Sequence, residues 1–413
     1  MTPMLKGYRV LDITQFVAGP TCTRIMAELG AEVIKVEMAP LGDHGRQSGL
    51  KARGADDRDC SQSTYFFQHN HSKKSLALDL KHPRGQEILK ELVPKVDVIV
   101  ENFAPGVIGR MGLGYEELRK LNDRLIMCSI SMAGQSGPLA SQPGFDYMGA
   151  AYAGMTSGIG EPDRGPVQMP VAIGDSATGV AAAMAVGFAL LHRERTGEGQ
   201  YIDCSLLDTY VHMQEDLIPR VGLRGAKAIP PRSGSQHPNG GPTGIFRAGD
   251  GRFLSIMVMP YQWKRMVEAM GMPELAADPR FDTPQNRRDN REALKLIIED
   301  WMAGIEGGRD GVLAVLAAAR VPSAPVLALD EVIEHPHMRQ RGTIREVTDP
   351  HLGTFPIPGM PARFSSEQED EALTAPLLGQ HNAEVLSELL NLSDDEIADL
   401  HKDKVLVNDR RVR

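Results

Sequence analysis

The first 131 residues alternate between short apolar runs of strand length and longer runs of helical character. "YRVLDIT" (8–14), "AEVIKVE" (31–37), "SLALDL" (75–80), "VDVIVEN" (96–102) and "RLIMCSIS" (124–131) read as strands. After the first strand, an Ala18-Gly19-Pro20 turn leads into a helix through "CTRIMAELG" that Gly30 ends. "RGQEILKELV" and "YEELRKLN" are the helices of the later intervals. Strands separated by helices imply βαβ units and a mostly parallel, doubly wound sheet. Ligands of such sheets lie beyond the carboxyl ends of the strands, where the turns at 15–20 and 102–106 fall.

The remainder changes character. At 413 residues the chain exceeds one ordinary core, so two domains are expected. Residues 222–245, rich in Gly, Pro and Ser, read as a linker or loop. "GIFRAGDGRFLSIMV" then places two strand-like runs around Gly249-Asp250-Gly251, a hairpin signal. With the helical "NREALKLIIEDWMAGI" (290–305), it makes 225–330 a smaller α+β domain, between a large α/β part at 1–221 and a return segment at 331–413. The chain closes with two amphipathic helices, the second capped by Ser393 with Glu396 three residues on. No internal repeat is present.

A formal charge of −9 argues against a protein that neutralises a nucleic-acid backbone. An anionic ligand would need local basic residues and backbone N–H groups. The four cysteines, Cys22, Cys60, Cys128 and Cys204, form no CxxC pair, so neither a disulfide framework nor a zinc site is signalled. With an N-terminus that lacks the basic-then-apolar build of a signal peptide, they fit a cytoplasmic protein. The most apolar run, Ala177 to Leu191, reads as a buried core helix, too short and too rich in Ala and Gly to span a membrane.

That run follows a single acid, Asp175, in "VAIGDSATGV". Asp is a favoured N-cap, so capping is the plain reading. The helix has almost no polar face, however, which places its start inside the protein. A carboxylate there is costly unless backbone donors and the helix dipole hold it. Gly174, Ser176 and Ala177 leave room for a ligand, and a desolvated, charged carboxylate is a usable nucleophile. Cap and catalyst both remain open on these grounds.

"ENFAPGVIGRMGLGY" (101–115) is either a strand end with its loop or a rim on which Asn102, Phe103 and Arg110 face a nucleotide-like ligand. In the second reading Phe103 stacks and Arg110 pairs with phosphate. Lys73 and Lys74 at a strand start are a solvated pair or a source of local positive charge. Neither GxGxxG after the first strand nor GxxxxGK[ST] is present, which argues against a nicotinamide dehydrogenase and a P-loop nucleotidase. HExxH and GxSxG are also missing, and the twelve histidines show no metal spacing.

Taken together, "GYRVLDITQFVAGP", "LGAEVIKVE", "KKSLALDLK", "VDVIVENFAPGVIGRMGLGYEEL", "GFDYMGAAYAGM", "IGDSATGVAAAMAVGFALLHRERTGEGQYIDCSLLD", "VPSAPVLALDEVIEHPHMRQRG" and "APLLGQHNAEVL" resemble the class III CoA-transferases. That group contains formyl-CoA transferase and the carnitine CoA-transferases and shares its fold with α-methylacyl-CoA racemase. The resemblance runs over nearly the whole length. It implies a Rossmann-like large domain completed by the C-terminal helices, a smaller domain, and an interlocked homodimer. It implies no permanently bound cofactor and no metal; coenzyme A and acyl-CoA are substrates, with a carboxylic acid as second partner and no nucleic acid or membrane.

By this resemblance Asp175 is the catalytic aspartate, which attacks the donor thioester to give an acyl-aspartyl anhydride and then an aspartyl-CoA thioester. N–H donors around Gly174 or elsewhere would stabilise the oxyanions. The CoA-binding positions are Val17, Ala18, Asn102, Phe103 and Arg110, with Lys74 near phosphate, while Met38 replaces an arginine beside the adenine. "SGSQHPNGG" departs from the glycine-rich loop of the formyl-CoA enzyme, which argues against formate or oxalate. The racemase carries a histidine in "GHD" where this chain reads "GFD", with Phe145 at that position. Phenylalanine cannot shuttle a proton, so transfer is preferred over epimerisation, and over a silent acyl-CoA-binding copy because Asp175 is present.

Overall fold

A computed structural model describes residues 3–51, 61–238, 240–365 and 373–412; Cys60 and Asn239 lie outside them. The chain divides into two compact units. The larger holds Met1–Ala153, Pro170–Met213 and Pro336–Arg413, the smaller Gly154–Met169 and Gln214–His335.

Among the described residues, six strands form the main sheet of the larger unit: β1 (Arg9–Ile13), β2 (Glu32–Met38), β3 (Lys74–Leu78), β4 (Val98–Glu101), β5 (Ile126–Ser131) and β6 (Gln200–Ser205). They form one sheet in the order β3-β2-β1-β4-β5-β6, every pair parallel. The chain builds outward from β1 in one direction and then resumes from β1 in the other, so the strand order reverses between β1 and β4. Helices α1 (Ala18–Glu28), α2 (Thr64–Asn70), α3 (Pro83–Leu92), α4 (Val107–Arg110), α5 (Tyr115–Leu118), α6 (Asp146–Tyr152), α7 (Ile173–Thr196) and α8 (Leu206–His212) complete this part of the unit.

Alternate residues of each strand serve opposite faces. Leu11, Ile34, Leu76, Ile99 and Met127 pack with Ile88 and Leu89 of α3. Val10, Val33, Val98, Val100 and Ile126 pack with Cys22 and Met26 of α1 and with Ala182 and Val186 of α7. Burial on both faces explains why these strands read as apolar runs and not as alternating ones.

The 24-residue helix α7 departs from the expected buried core helix. It is long and apolar enough to cross a membrane by length and composition. In the fold it lies against α1, and Gly179 makes the crossing possible: a Cβ there would be 2.6 Å from the Ala18 carbonyl oxygen. Only that side is buried. Val180, Met184, Phe188 and Leu191 form an apolar stripe on the other, and Phe188 is 64% exposed. An all-round apolar sequence does not distinguish a buried face from an uncovered one.

The smaller unit contains α9 (Leu217–Arg224), β7 (Thr243–Arg247), β8 (Phe253–Met257), α10 (Trp263–Ala269), α11 (Pro284–Asp289), α12 (Arg291–Ala303), α13 (Gly308–Ala318), β9 (Ser323–Pro325) and α14 (Leu329–Glu334). Its three strands are antiparallel, in the order β7-β8-β9. The β7–β8 hairpin turns at Gly251 (φ 83°), where the signal at 249–251 placed it. Phe246, Leu254 and Ile256 face Trp263, Leu294, Ile298 and Val312 to make its core. Segment 154–169 belongs to this unit because the Arg232 guanidinium donates to the carbonyl oxygens of Ser157, Glu161 and Arg164.

The return segment brings α15 (Pro336–Gln340), the antiparallel pair β10 (Ile344–Asp349) and β11 (Gly353–Pro358), α16 (Asn382–Leu390) and α17 (Asp394–Lys402) to the larger unit. Val385 and Leu386 of α16 and Ile397 and Leu400 of α17 join the core beside α3. Ser393 and Glu396 form the reciprocal cap of α17 that their spacing predicts.

Candidate active site

The carboxyl ends of β1 and β4 flank the point where strand order reverses, and the loop after β1 is fixed there from several directions. Buried Asp12 accepts from the Thr14 N–H (3.0 Å), from Thr23 Oγ1 (2.7 Å) and from Lys73 Nζ (2.8 Å). Lys35 Nζ donates to the Thr14 carbonyl (2.8 Å) and pairs with Asp43 (2.9 Å). Phe16 takes a left-handed backbone, φ 67°, and its N–H donates to Asp43 Oδ1 at 3.1 Å. That conformation is unfavourable for a bulky residue and persists because its surroundings hold it.

Asn102 completes the clamp. Its Oδ1 accepts from the Gln15 N–H (2.9 Å) and its Nδ2 donates to the Gln15 carbonyl (2.8 Å). One N–H and one lone pair of the amide are thereby committed to the loop. The 11-residue helix α1 starts directly after this loop, and its N-cap, Val17, provides no side-chain acceptor. Such an end carries backbone donors and the positive pole of the helix.

Phe103 is partly buried in the same core as Met38, and with Thr14, Gln15 and Asp43 both line a small crevice at this rim. Arg110 lies exposed at the end of α4. Lys74 does not join this group. It occupies the amino end of β3, opposite Ile34 in register, and pairs with Glu32 and Glu384, both at 2.7 Å. The exposed cation just past the carboxyl end of β3 is Lys81.

Asp175 is the third residue of α7 and not its cap; the N-cap is Ala172, which offers no side-chain acceptor. The role of cap is taken by residues distant in sequence. Asp146 Oδ1 accepts from the Asp175 N–H at 2.7 Å, and Tyr210 Oη accepts from the Gly174 N–H at 3.0 Å. Tyr210 in turn donates to Asp146 Oδ2 at 2.9 Å. Gly174 is required at its position, since a Cβ would lie 2.2 Å from the Tyr210 ring and 2.6 Å from Asp146. The N–H groups of Gly174 and Asp175 are thereby used, which removes them as the oxyanion donors expected there.

The Asp175 carboxylate itself is left without a hydrogen-bond donor among the described residues. Burial, and secondarily the charge of Asp146, push its pKa up to about 7. Tyr65, on α2, lies close enough that burial together with the charges of Asp175 and Asp43 raises its hydroxyl to about 12. Phe16 stacks on His44 with ring centroids 5.4 Å apart and meets Phe145 edge-on at 6.0 Å. Phe145 directly precedes Asp146, so an aromatic wall leads from the β1 loop to the carboxylate pair.

Asp146, Tyr210 and Tyr65 escape a reading of the sequence. Asp146 and Tyr210 are 29 and 36 residues from the groups they hold, and no local spacing reports such a contact. The one available signal was the acid directly after Phe145 in "GFDYMG".

Residues 5–382 match the sequence profile described as CoA-transferase family III. The chain belongs to CoA-transferase family III. It is 36% identical to the succinyl-CoA–D-citramalate CoA-transferase of Chloroflexus aurantiacus over 403 residues, 97% of this chain and 98% of that one. It is 35% identical to the mouse succinyl-CoA:glutarate CoA-transferase over 398 residues, 96% of this chain and 88% of the relative. Among solved structures, a CAIB/BAIF family protein from Brucella suis superposes with a TM-score of 0.81 and 33% identity, covering 94% of this chain and 100% of its own. The family match encloses the β1 loop, Asn102, Asp146, Asp175 and Tyr210, so the whole constellation lies within the shared region.

Proposed function

We propose that this protein moves CoA from an acyl-CoA donor to a carboxylic acid acceptor, with Asp175 as the covalent nucleophile. One observation carries the reading: the helix start is capped by Asp146 and Tyr210, so the Asp175 carboxylate is spared that duty and has no hydrogen-bond donor among the described residues. A carboxylate in that condition is more reactive than one in water, and at pH 8 most of it is ionised.

Attack of an Asp175 oxygen on the thioester carbon breaks the C–S bond and gives an acyl-aspartyl anhydride and CoA thiolate. The thiolate then attacks Asp175 Cγ, releasing the first acid as its carboxylate and leaving an aspartyl-CoA thioester. The acceptor carboxylate repeats the two steps in reverse and regenerates Asp175. Each step exchanges one acyl oxygen or sulfur bond for another, so the cycle needs no ATP.

The nucleotide end of CoA suits the start of α1 at Val17 and Ala18, with Phe103 beside it and Arg110 and Lys81 as exposed cations on that rim. Asn102 supports this site through the loop. Epimerisation would need a second base, and Phe145 at the corresponding position has none. The uncovered stripe of Val180, Met184, Phe188 and Leu191 supports a homodimer in which a second copy covers α7.

Incubation with a panel of acyl-CoA esters, hydroxylamine trapping and mass spectrometry tests the mechanism. A hydroxamate on Asp175 is expected. Absence of trapping with every thioester, together with full activity in Asp175→Ala, would overturn it. Exchange of a substrate α-proton without CoA transfer would point to epimerisation.

A further inference from the structure

The smaller unit contains a cavity of about 850 Å³ that the proposed chemistry does not use. Its walls come from α9, the turn that follows it, and the junction of α11 with α12. Arg220 and Arg224 project from successive turns of α9, Lys227 follows one turn later, and Arg288 and Arg291 approach from the other wall. Only Asp289 and Glu292 oppose them, so the lining carries a net charge of +3 in a protein whose total is −9.

The two acids are matched by their sequence neighbours: Asp289 faces Arg288 at 3.7 Å and Glu292 faces Arg291 at 3.6 Å. The side chains of Arg220, Arg224 and Lys227 have no ion-pair or hydrogen-bond partner among the described residues, and the buried Nε of Arg220 is unsatisfied. A guanidinium N–H shut from water without an acceptor is costly, and an arriving oxyanion would relieve it.

Two further features shape what fits. Residues 290–293, the cap and first turn of α12, line the cavity, and the Asn290 side chain does not accept from the helix N–H groups. It is committed instead to the carbonyls of Arg280 and Asn286. Ile229, Pro230, Pro231 and Pro238 add apolar side chains to the lining. The volume lies in the range of small-molecule sites and far exceeds that of a single carboxylate. Cations spread over both walls require separated negative charges on one ligand.

We infer that this cavity binds a multivalent phosphate anion of nucleotide size. The chemistry is that of a free nucleoside polyphosphate, since the nucleotide end of CoA is already assigned to the start of α1.

Isothermal titration of the full chain with ATP, inorganic pyrophosphate and CoA at low ionic strength tests this. ATP and pyrophosphate should bind with a dissociation constant below about 1 mM, and more weakly as salt is added. In Arg220→Gln/Arg224→Gln their binding should fall by roughly tenfold or more, with Arg220→Lys/Arg224→Lys intermediate. Transfer activity measured without added anion should be unchanged in both variants. If the double glutamine variant melts early, Lys227→Gln on the exposed turn carries the same expectation at about threefold. Loss confined to ATP and pyrophosphate is the expected result; a matching rise in the KM of CoA esters would assign the cavity to CoA and overturn the inference. No binding of ATP or pyrophosphate at millimolar concentration, or equal binding in wild type and variants, overturns the inference. The reading of Asp175 is checked separately by trapping and survives either result.

Discussion

Asp12 and Asp175 are both carboxylates largely removed from water in the larger unit, and their surroundings treat them in opposite ways. Burial alone would raise Asp12, but Lys35, Lys73 and the hydroxyls of Thr14 and Thr23 more than offset it and hold the acid well below the usual carboxylate range. Asp175 has burial and a second acid, Asp146, and no donor among the described residues, so it rises to about 7. One aspartate is saturated with partners and shapes a loop; the other is stripped of them and stays reactive. Burial alone therefore does not mark a functional acid. The missing donors do.

The two also pull stability in opposite directions with pH. The folded pKa of Asp12 is depressed, so its contribution is present above the ordinary carboxylate pKa and disappears as pH falls through the lower folded value. The folded pKa of Asp175 is raised, so ionising it opposes folding from about pH 4 upward, and fully so above about 7.

The comparison breaks most sharply at Asp175. Asp175→Asn should reduce transfer by at least about 10⁴-fold and abolish trapping. The same variant should melt a few degrees higher than wild type at pH 8 and no higher at pH 4, as calorimetry at the two pH values would show. A lower melting temperature at pH 8 would mean that the carboxylate is supported after all.

Asp12→Asn should do the reverse. Leaving Lys35 and Lys73 buried with half their compensation costs about 3–5 kcal/mol, read by denaturant unfolding. At the other acid, Asp146→Asn keeps an acceptor for the Asp175 N–H while removing the neighbouring charge. The acid limb of the pH–kcat profile should move down by about one unit.

Smaller effects sharpen the geometry. Asn102→Ala frees the β1 loop and should raise the KM for CoA esters by about tenfold, the worth of one or two hydrogen bonds, with kcat changed less. Lys74→Ala should cost under about 1 kcal/mol and leave that KM unchanged, because its partners are the half-exposed Glu32 and Glu384. Lys81→Ala, on the opposite rim, should raise it.

The parallel sheet was legible because its strands are apolar on both faces and separated by helices. Asp175 was legible as an acid opening an apolar helix, although physical reasoning alone left it between cap and nucleophile. The cap that frees it is a tertiary contact, and no local pattern encodes Asp146 reaching Asp175. Lys74 was misplaced for a reason the sequence does contain. A basic pair that precedes a parallel strand lies at its amino end, whereas ligands gather at the carboxyl end, where Lys81 follows "LALDL". The open side of α7 had no such signal.

The grip of Asn102 on Gln15 has one more consequence. A primary amide that accepts from a residue's N–H while donating to the same residue's C=O imitates a peptide group in an adjoining strand. Register between β1 and β4 ends at Ile13 opposite Glu101. Beyond it the sheet is extended by a side chain, where the main chains have already parted toward their separate helices. The fork between them stays tied at its base yet open above. Aspartate would lose the donor and glutamine would overshoot by a methylene, so this tie is written in a single residue type.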